Sequence, residues 1–389
     1  MAKLVKKVVL LYGRGYGVGL LAGLKSYFRL HGRWSCHMLP LYHSQAPRRA
    51  MNLLSAFNVN PDGIIVPNSV TDLEKIINLG LPVIIHRHVK ERIPGIPHLL
   101  GKGAEIGRMA ADHLLERAFD NFAYCGFTDT APSRERAESF DETIKKAGFR
   151  PRFYMRPLKK VSRAWDSEIE LLADWLKSLP KPVAIMACND DRSRDIVQAC
   201  RVANLRIPAE VALLGVDNES WICELETPTL SSVALNFERA GYEAGKLLDR
   251  LISGVEKPGD QVVYTEATHV VTRESTNIFA IKDRQIAKAL HFIRQNSRMI
   301  LQVGDVAEAA ALSRSALKKR FRQALGRTVS AEIRTARIAE IKRALMETDM
   351  TISEIASVFG YTSDHHIHRF FRNETGMSPK EYRRKYGRK

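Results

Sequence analysis

Val183-Ala-Ile-Met-Ala-Cys-Asn-Asp190 is an apolar run that ends abruptly on an amide and a carboxylate. Without polar alternation, Val183 to Ala187 reads as a strand buried on both faces, which belongs to a parallel sheet covered by helices. Similar runs recur at Val8 to Tyr12, Gly63 to Val66, Val83 to His86, Phe122 to Gly126 and Val211 to Val216. Amphipathic stretches such as Ile106 to Arg117 and Ile169 to Leu179 separate them, so the first 280 or so residues are expected to be α/β, with two parallel sheets flanked by helices. Ligands of such sheets bind outside the carboxyl ends of the strands, which directs attention to the residues just past each run. Asn189, Asp190 and Asp191 follow one strand, and Asp217, Asn218 and Glu219 follow another. Carboxylates and amides exchange paired hydrogen bonds with adjacent hydroxyls, as a neutral sugar presents them. Arg136 adds a bidentate donor, and Trp221 adds an aromatic face to cover a ring. The competing reading of any single Asp or Asn here is a helix N-cap.

Other features of this half narrow the function. Gly13, Gly15, Gly17 and Gly19 follow the first strand like a dinucleotide loop, but no Asp or Glu occurs between Met1 and Asp62. A nicotinamide dinucleotide site needs an acidic residue about 20 positions on for the ribose, so that cofactor is not expected. No Gly-x-x-x-x-Gly-Lys loop or Gly-x-Ser-x-Gly elbow is present, and the chain is not expected to be an enzyme. The five cysteines, Cys36, Cys125, Cys188, Cys200 and Cys223, are scattered and never in a Cys-x-x-Cys spacing. They read as buried free thiols, not a disulfide or zinc framework. No run approaches the roughly 18 apolar residues of a membrane span and no signal peptide pattern opens the chain, so a cytoplasmic location is expected.

Charge singles out the other end. The 389 residues carry a net +17, and from Asp283 onward 22 Lys and Arg face 11 Asp and Glu, which places +11 in the last 107 residues. A small basic unit behind a larger, milder one suggests a nucleic-acid-binding module. Residues 1–278 are accordingly assigned to a sensing domain and 279–389 to a DNA-binding domain.

The basic unit opens with Ile286, Leu290 and Ile293 on one helical face and then states one pattern twice. Val303, Asp305, Val306 and Ala307 lead through Leu312-Ser313 to a helix with Leu317 and Phe321 inward; Ile352, Glu354, Ile355 and Ala356 lead through Gly360-Tyr361 to one with Ile367, Phe370 and Phe371 inward. Each is a helix-turn-helix arrangement. Opposite the core lie two polar stripes of the same spacing, Ser315, Lys318, Lys319 and Arg322, and His365, His368, Arg369 and Arg372. Such stripes suit a major groove, with some side chains at base edges and others on phosphates. The joining helix, about Ser330 to Glu347, spans roughly 27 Å, enough to set two recognition helices about one DNA turn apart. His365, His366 and His368 lack an accompanying Cys or carboxylate cluster, so no metal is expected.

Two resemblances follow from these residues. Val183 to Asp190 and Leu213-Leu-Gly-Val-Asp-Asn218, with Ser133-Arg-Glu-Arg136 ahead of Phe140, resemble the sugar-binding core of the LacI and periplasmic-binding-protein-like superfamily. That likeness implies a two-lobed sensor whose effector contacts are Arg136, Asn189, Asp190 and Asp217. It departs from LacI repressors in that no helix-turn-helix is expected ahead of the first strand, since seven residues precede Val8. The last 100 residues, down to Gly376-Met-Ser-Pro-Lys-Glu-Tyr-Arg383, resemble the AraC/XylS family of transcription activators. By that likeness Ser315, Lys318, Lys319, His365, His368 and Arg369 occupy base-contacting positions; Ile367 departs from the aromatic more usual there. A sensor followed by such a reader resembles the xylose operon regulators, which implies a D-xylose-responsive activator of sugar catabolic genes. It also implies a homodimer on a double-stranded DNA operator, with RNA polymerase as a partner in activation. A regulator answering another sugar, or a cytoplasmic sugar-binding protein without a transcriptional role, are the alternative readings.

Overall fold

The computed structural model describes residues 6–12, 18–40, 60–67, 70, 73–86, 92–163, 165–281 and 283–387. Gly13, Gly15 and Gly17 lie outside them. The first lobe contains β1 (Lys6–Tyr12), α1 (Val18–Leu30), β2 (Trp34–Pro40), β3 (Gly63–Pro67), α2 (Leu73–Ile77), β4 (Val83–His86) and β5 (His98–Gly101). The chain then crosses to the second lobe: α3 (Gly103–Leu115), β6 (Phe122–Phe127), α4 (Ala131–Lys146), β7 (Arg152–Arg156), α5 (Leu158–Arg163), α6 (Trp165–Ser178), β8 (Val183–Ala187), α7 (Asp190–Ala203), β9 (Val211–Asp217), α8 (Ser220–Cys223) and β10 (Ser231–Leu235). It returns to the first lobe for α9 (Phe237–Ile252) and β11 (Val262–Thr265), and crosses a third time into β12 (Ala267–Val271).

Two six-stranded sheets result, in the orders β11-β5-β4-β3-β1-β2 and β12-β10-β9-β8-β6-β7. Every pairing is parallel except the antiparallel β12 on β10. Of the runs identified as buried strands, β3, β4, β6 and β8 are buried at every position, as expected where helices cover both faces; in Val8–Tyr12 only the side chain of Val8 is among the described ones, and it is buried. In the first lobe α1 lies against α9 at backbone distance. A Cβ on Gly23 would come 1.8 Å from the Glu238 carbonyl oxygen, and one on Gly241 2.1 Å from that of Leu20, so both positions require glycine. Four cysteines are buried as free thiols, but Cys36 is exposed; β2 is an edge strand, and one of its faces looks outward.

After the short 3-10 turn Glu274–Thr276, the chain alternates. Ile278 and Ala280 pack on the second lobe, while Phe279 and Ile281 pack into the core of the helical region. That region runs α10 (Arg284–Gln295), α11 (Val303–Ala309), α12 (Arg314–Leu325), α13 (Val329–Glu347), α14 (Ile352–Val358), α15 (Asp364–Thr375) and α16 (Pro379–Tyr386). It has two apolar clusters, one around Ile286, Leu290, Val306, Leu317 and Phe321, the other around Ile341, Leu345, Ile355, Ile367, Phe371 and Tyr382. Each helix-turn-helix therefore has its own core, with α13 contributing to both.

The local signals explain these helices. Ser313 caps α12 through the amide of Ala316, and Thr351 and Ser378 form reciprocal capping boxes with Glu354 and Glu381, each cap worth about 1 kcal/mol. Both recognition helices end on a left-handed glycine, Gly326 at φ 68° and Gly376 at φ 75°. The first helix of each unit opens on a capping box, Gln302 with Asp305 and Thr351 with Glu354, and each second helix ends on glycine. The units therefore repeat in backbone as well as in pattern, although Ser363 makes no side-chain cap bond on α15.

Candidate effector cleft and nucleic-acid interface

The carboxyl ends of β6, β8 and β9 bring the expected polar residues together. Arg136, on the second turn of α4, points its guanidinium between β8 and β9: Nη1 donates to the carbonyl of Cys188, and Nη2 lies 3.7 Å from Oδ1 of Asp217. Its Nε is buried without a partner among the described residues. Asp217 ends β9 at φ 105° and Asn218 follows at φ 54°, a pair of positive-φ residues that ends the strand. Such conformations cost about 1 to 3 kcal/mol each and concentrate at ligand-binding positions. Burial pushes the Asp217 carboxyl up to about 7, against the lowering effect of Arg136.

Asp190 and Asn189 have different duties. Asn189 caps α7, its Oδ1 accepting from the amide of Arg192 at 2.9 Å. Asp190 is buried, with Oδ1 accepting from Ser232 Oγ at 2.7 Å and Oδ2 from the amide of Glu219 at 2.8 Å. The carboxylate thus stitches β8 to β10 and to the loop that carries Asp217. Gly215 permits this, because a Cβ there would sit 2.2 Å from Asp190 Oδ1. Burial, then the neighbouring Asp217 charge, push Asp190 up to about 8. Of the two residues, one caps a helix and the other ties strands; the cleft side is left to Arg136 and Asp217.

Trp221 is 53% exposed and lies beside Glu219, whose carboxyl is pushed up by burial and held down by Trp221 and by the backbone of Val18. Since Val18 opens α1 in the first lobe, Glu219 links the two lobes beside Asp217.

Two residues that the sequence reading did not assign stand out. Asn218 holds its amide on Ser232 Oγ at 3.0 Å and leaves Oδ1 buried without a partner among the described residues; its place after Asp217 was the signal. Arg192 is fully buried, bonded to Glu168 at 2.6 Å and Asp195 at 3.1 Å, with Nε on Cys125 Sγ at 3.2 Å. Arg156 holds the other Glu168 oxygen at 3.1 Å. Partners 24 and 67 residues away leave no sequence signal.

In the helical region every expected contact residue lies on the outer face. Ser315, Lys318, Lys319 and Arg322 on α12 are exposed, as are His365, Arg369 and Arg372 on α15, with His368 partly so. Among the described residues Lys318, Lys319, Arg322 and Arg369 form no ion pair. The inward cations are fully engaged instead: Arg320 ties α12 to Asp283 at 2.6 Å, and Arg337 binds the Met299 and Phe359 carbonyls and the Tyr361 hydroxyl. Two exposed basic stripes are thereby mounted on rigid helices. Among the described residues no group of His, Cys, Asp and Glu is arranged to hold a metal, and no helix is long and apolar enough to cross a membrane.

Residues 111–276 match the periplasmic binding protein-like domain and residues 306–385 a helix-turn-helix domain. The xylose operon regulatory protein of Haemophilus influenzae is 32% identical over 293 residues, 75% of each chain. The chain belongs to the family of xylose operon regulatory proteins. Its counterpart in Escherichia coli (strain K12) is 29% identical over 329 residues, 83% of each chain. A solved xylose-binding transcription activator matches over the whole of both chains with a TM-score of 0.60 and 25% identity. A cellobiose complex of the regulator CelR, at 19% identity and a TM-score of 0.56, shares the fold of the first two lobes. Members of this family are transcription regulators built on a two-lobed sensor and a helix-turn-helix reader, and not enzymes.

Proposed function

We propose that the chain is a D-xylose-responsive transcription activator that acts as a homodimer on double-stranded DNA in the cytoplasm and engages RNA polymerase when it activates. The observation that carries this reading is the pairing, in one chain, of a polar cleft with unspent hydrogen-bonding atoms and twin uncommitted basic stripes. Arg136 and Asp217 face each other with Asn218 beside them, and Arg136 Nε and Asn218 Oδ1 await partners that sugar hydroxyls supply. Asn189 and Asp190 then act mainly by holding the loop that presents Asp217, and Trp221 offers an apolar face for a ring. Xylose enters from the names of the relatives, since these groups suit several pentoses and hexoses.

DNA recognition is assigned to Ser315, Lys318, Lys319 and Arg322 in one unit and His365, His368, Arg369 and Arg372 in the other, reading successive major grooves. Sugar binding favours one arrangement of the lobes and so one placement of the reader, by differential affinity for the two states.

Calorimetry against D-xylose, L-arabinose, D-ribose and D-glucose tests the effector, and binding of duplexes selected by the chain from a random pool tests the reader. Binding of xylose, with a xylose-dependent change in DNA affinity, is the expected result. Heat only with another of the four replaces xylose by that sugar. DNA affinity indifferent to any sugar that binds overturns the regulatory reading.

A further inference from the structure

The lobes are joined at three crossovers, Gly101 to Gly103, Leu235 to Phe237 and Thr265 to Ala267. They are laced to one another. Lys102 Nζ meets Glu266 Oε1 at 2.7 Å and its amide donates to the Thr265 carbonyl at 2.9 Å. Asn236 Oδ1 accepts from the Glu266 amide at 2.7 Å. Any rotation of one lobe against the other would turn about this knot, as hinge motions are absorbed at element ends.

The reader touches the sensor on both sides of the knot. On the second lobe, Arg327 donates to the Glu116 carbonyl at 3.2 Å, just past the end of α3. His269 on β12 meets Glu347, the last residue of α13, at 2.9 Å. On the first lobe, Arg239 in the first turn of α9 donates to the carbonyls of Arg384, at 3.0 Å, and of Lys385. Those are orphan carbonyls at the C-terminal end of α16, where a cation is favoured by both hydrogen bonding and the helix dipole. Helix α16 is itself locked into the reader, with Tyr382 in the core of the second unit and Arg383 Nε on the Leu345 carbonyl at 3.1 Å.

Elsewhere an open groove lies between Glu116, Phe119 and Phe149 of the second lobe and Arg320, Gln323 and Leu325 of the reader. The reader is therefore positioned by a few polar contacts and not by a shared tight core there, and such interfaces permit relative motion.

We propose that Arg239 is the first-lobe half of a clasp by which the reader straddles the hinge, so that lobe rotation acts on the DNA-binding unit within a single chain. With the reader held to the second lobe at Glu116 and His269 and to the first at Arg239, a change in lobe angle has two outcomes. Either the reader turns with the first lobe or Arg239 lets go of α16. In both cases the state of the cleft is written into the orientation of the second helix-turn-helix before any second subunit is considered.

This inference rests on the sugar-dependent regulation proposed above, and the test separates the two. Arg239→Glu in the full chain sets a carboxylate against the helix carbonyls while preserving helix propensity; Arg239→Lys keeps the cation. Hydrogen exchange of residues 382–387, without sugar or DNA, is expected to be faster in Arg239→Glu and nearly restored in Arg239→Lys. Unchanged exchange in Arg239→Glu overturns the clasp whatever sugar does. DNA affinity is then measured by anisotropy with and without D-xylose on a duplex selected by the wild-type chain. The xylose-dependent fold-change is expected to shrink by about 5-fold or more, within the usual range of allosteric coupling, with xylose affinity unaltered. Faster exchange with the wild-type fold-change intact overturns transmission through Arg239. A wild-type chain that ignores every sugar defeats the functional reading, while the exchange result still decides the clasp.

Discussion

The charged residues of the cleft and those of the recognition helices have opposite relations to the protein around them. In the second lobe Asp190, Arg136, Glu168 and Arg192 are buried and already bonded to strands, carbonyls or each other. On α12 and α15 the Lys and Arg of the stripes are exposed, and the inward Arg320 and Arg337 carry the internal bonds. The cleft must hold its shape with the same kind of groups that meet a ligand, so function and stability are entangled there. The reader assigns the two tasks to different residues, on the same helix in the case of Arg320 and on α13 in the case of Arg337. Substitutions at the buried, internally bonded residues of the second lobe should therefore disturb folding, and substitutions in the stripes should disturb DNA binding alone.

The largest effect is expected at the buried ion cluster. Glu168→Ala removes the carboxylate shared by Arg192 and Arg156 and leaves a fully buried guanidinium with Asp195 as its one remaining carboxylate. Breaking such a pair costs about 3 to 5 kcal/mol, on the order of 10 °C in the melting of the sensor. Scanning calorimetry on the full chain reads it, and an unchanged sensor transition would show that this network is not structural.

Asp217→Ala addresses the cleft's outward face. Losing a charged hydrogen-bond partner of the sugar costs about 1.5 to 3 kcal/mol, or roughly 10- to 150-fold in affinity. Because burial already disfavours the charged form of Asp217, its removal should not lower the melting temperature at pH 8. Wild-type sugar affinity in the variant would remove Asp217 from the site; a large fall in melting would make it structural, like Asp190.

The same pair predicts a pH dependence. Burial raises Asp217 to about 7 and Asp190 to about 8, so the folded sensor retains protons that the unfolded chain has released. Stability from these groups is complete below the ordinary carboxyl range and is lost as pH rises through about 7 to 8. The sugar-free sensor should melt at a lower temperature at pH 8.5 than at pH 6, and Asp190→Asn should flatten that slope. An equally steep slope in the variant would assign it to other groups.

How much of this was legible in the sequence follows from the range of the interactions. The reader declares itself because caps, turns and faces are set within a few residues: Ser313, Thr351 and Ser378 act three positions on. Most buried strands of the α/β lobes were equally plain. Strands β2, β5, β7 and β10 were not, because Trp34–Pro40 and Arg152–Arg156 mix polar with apolar residues, His98–Gly101 is only four residues long and Ser231–Leu235 opens on two serines. In the cleft, motif position found Arg136 and Asp217, but it could not separate a ligand contact from a cap or a strand tie. That distinction for Asn189 and Asp190 depends on Arg192 nearby and on Ser232, 42 residues away.

The smallest effect tests the reader's side of the contrast. Lys318→Ala removes an exposed cation without an internal partner, so melting should be unchanged while the salt dependence of DNA binding flattens by about one unit of log–log slope if Lys318 meets a phosphate. If it meets a base, the slope changes less and preference at one operator position relaxes. His365→Ala, at the matching place in the second unit, should leave the slope nearer to wild type, since an imidazole brings less fixed charge to the backbone than an ammonium. Equal losses of slope in both variants would mean that the two stripes divide base and phosphate contacts in the same way despite their different chemistry. A drop in melting for either would erase the separation of folding from recognition that the exposed stripes imply.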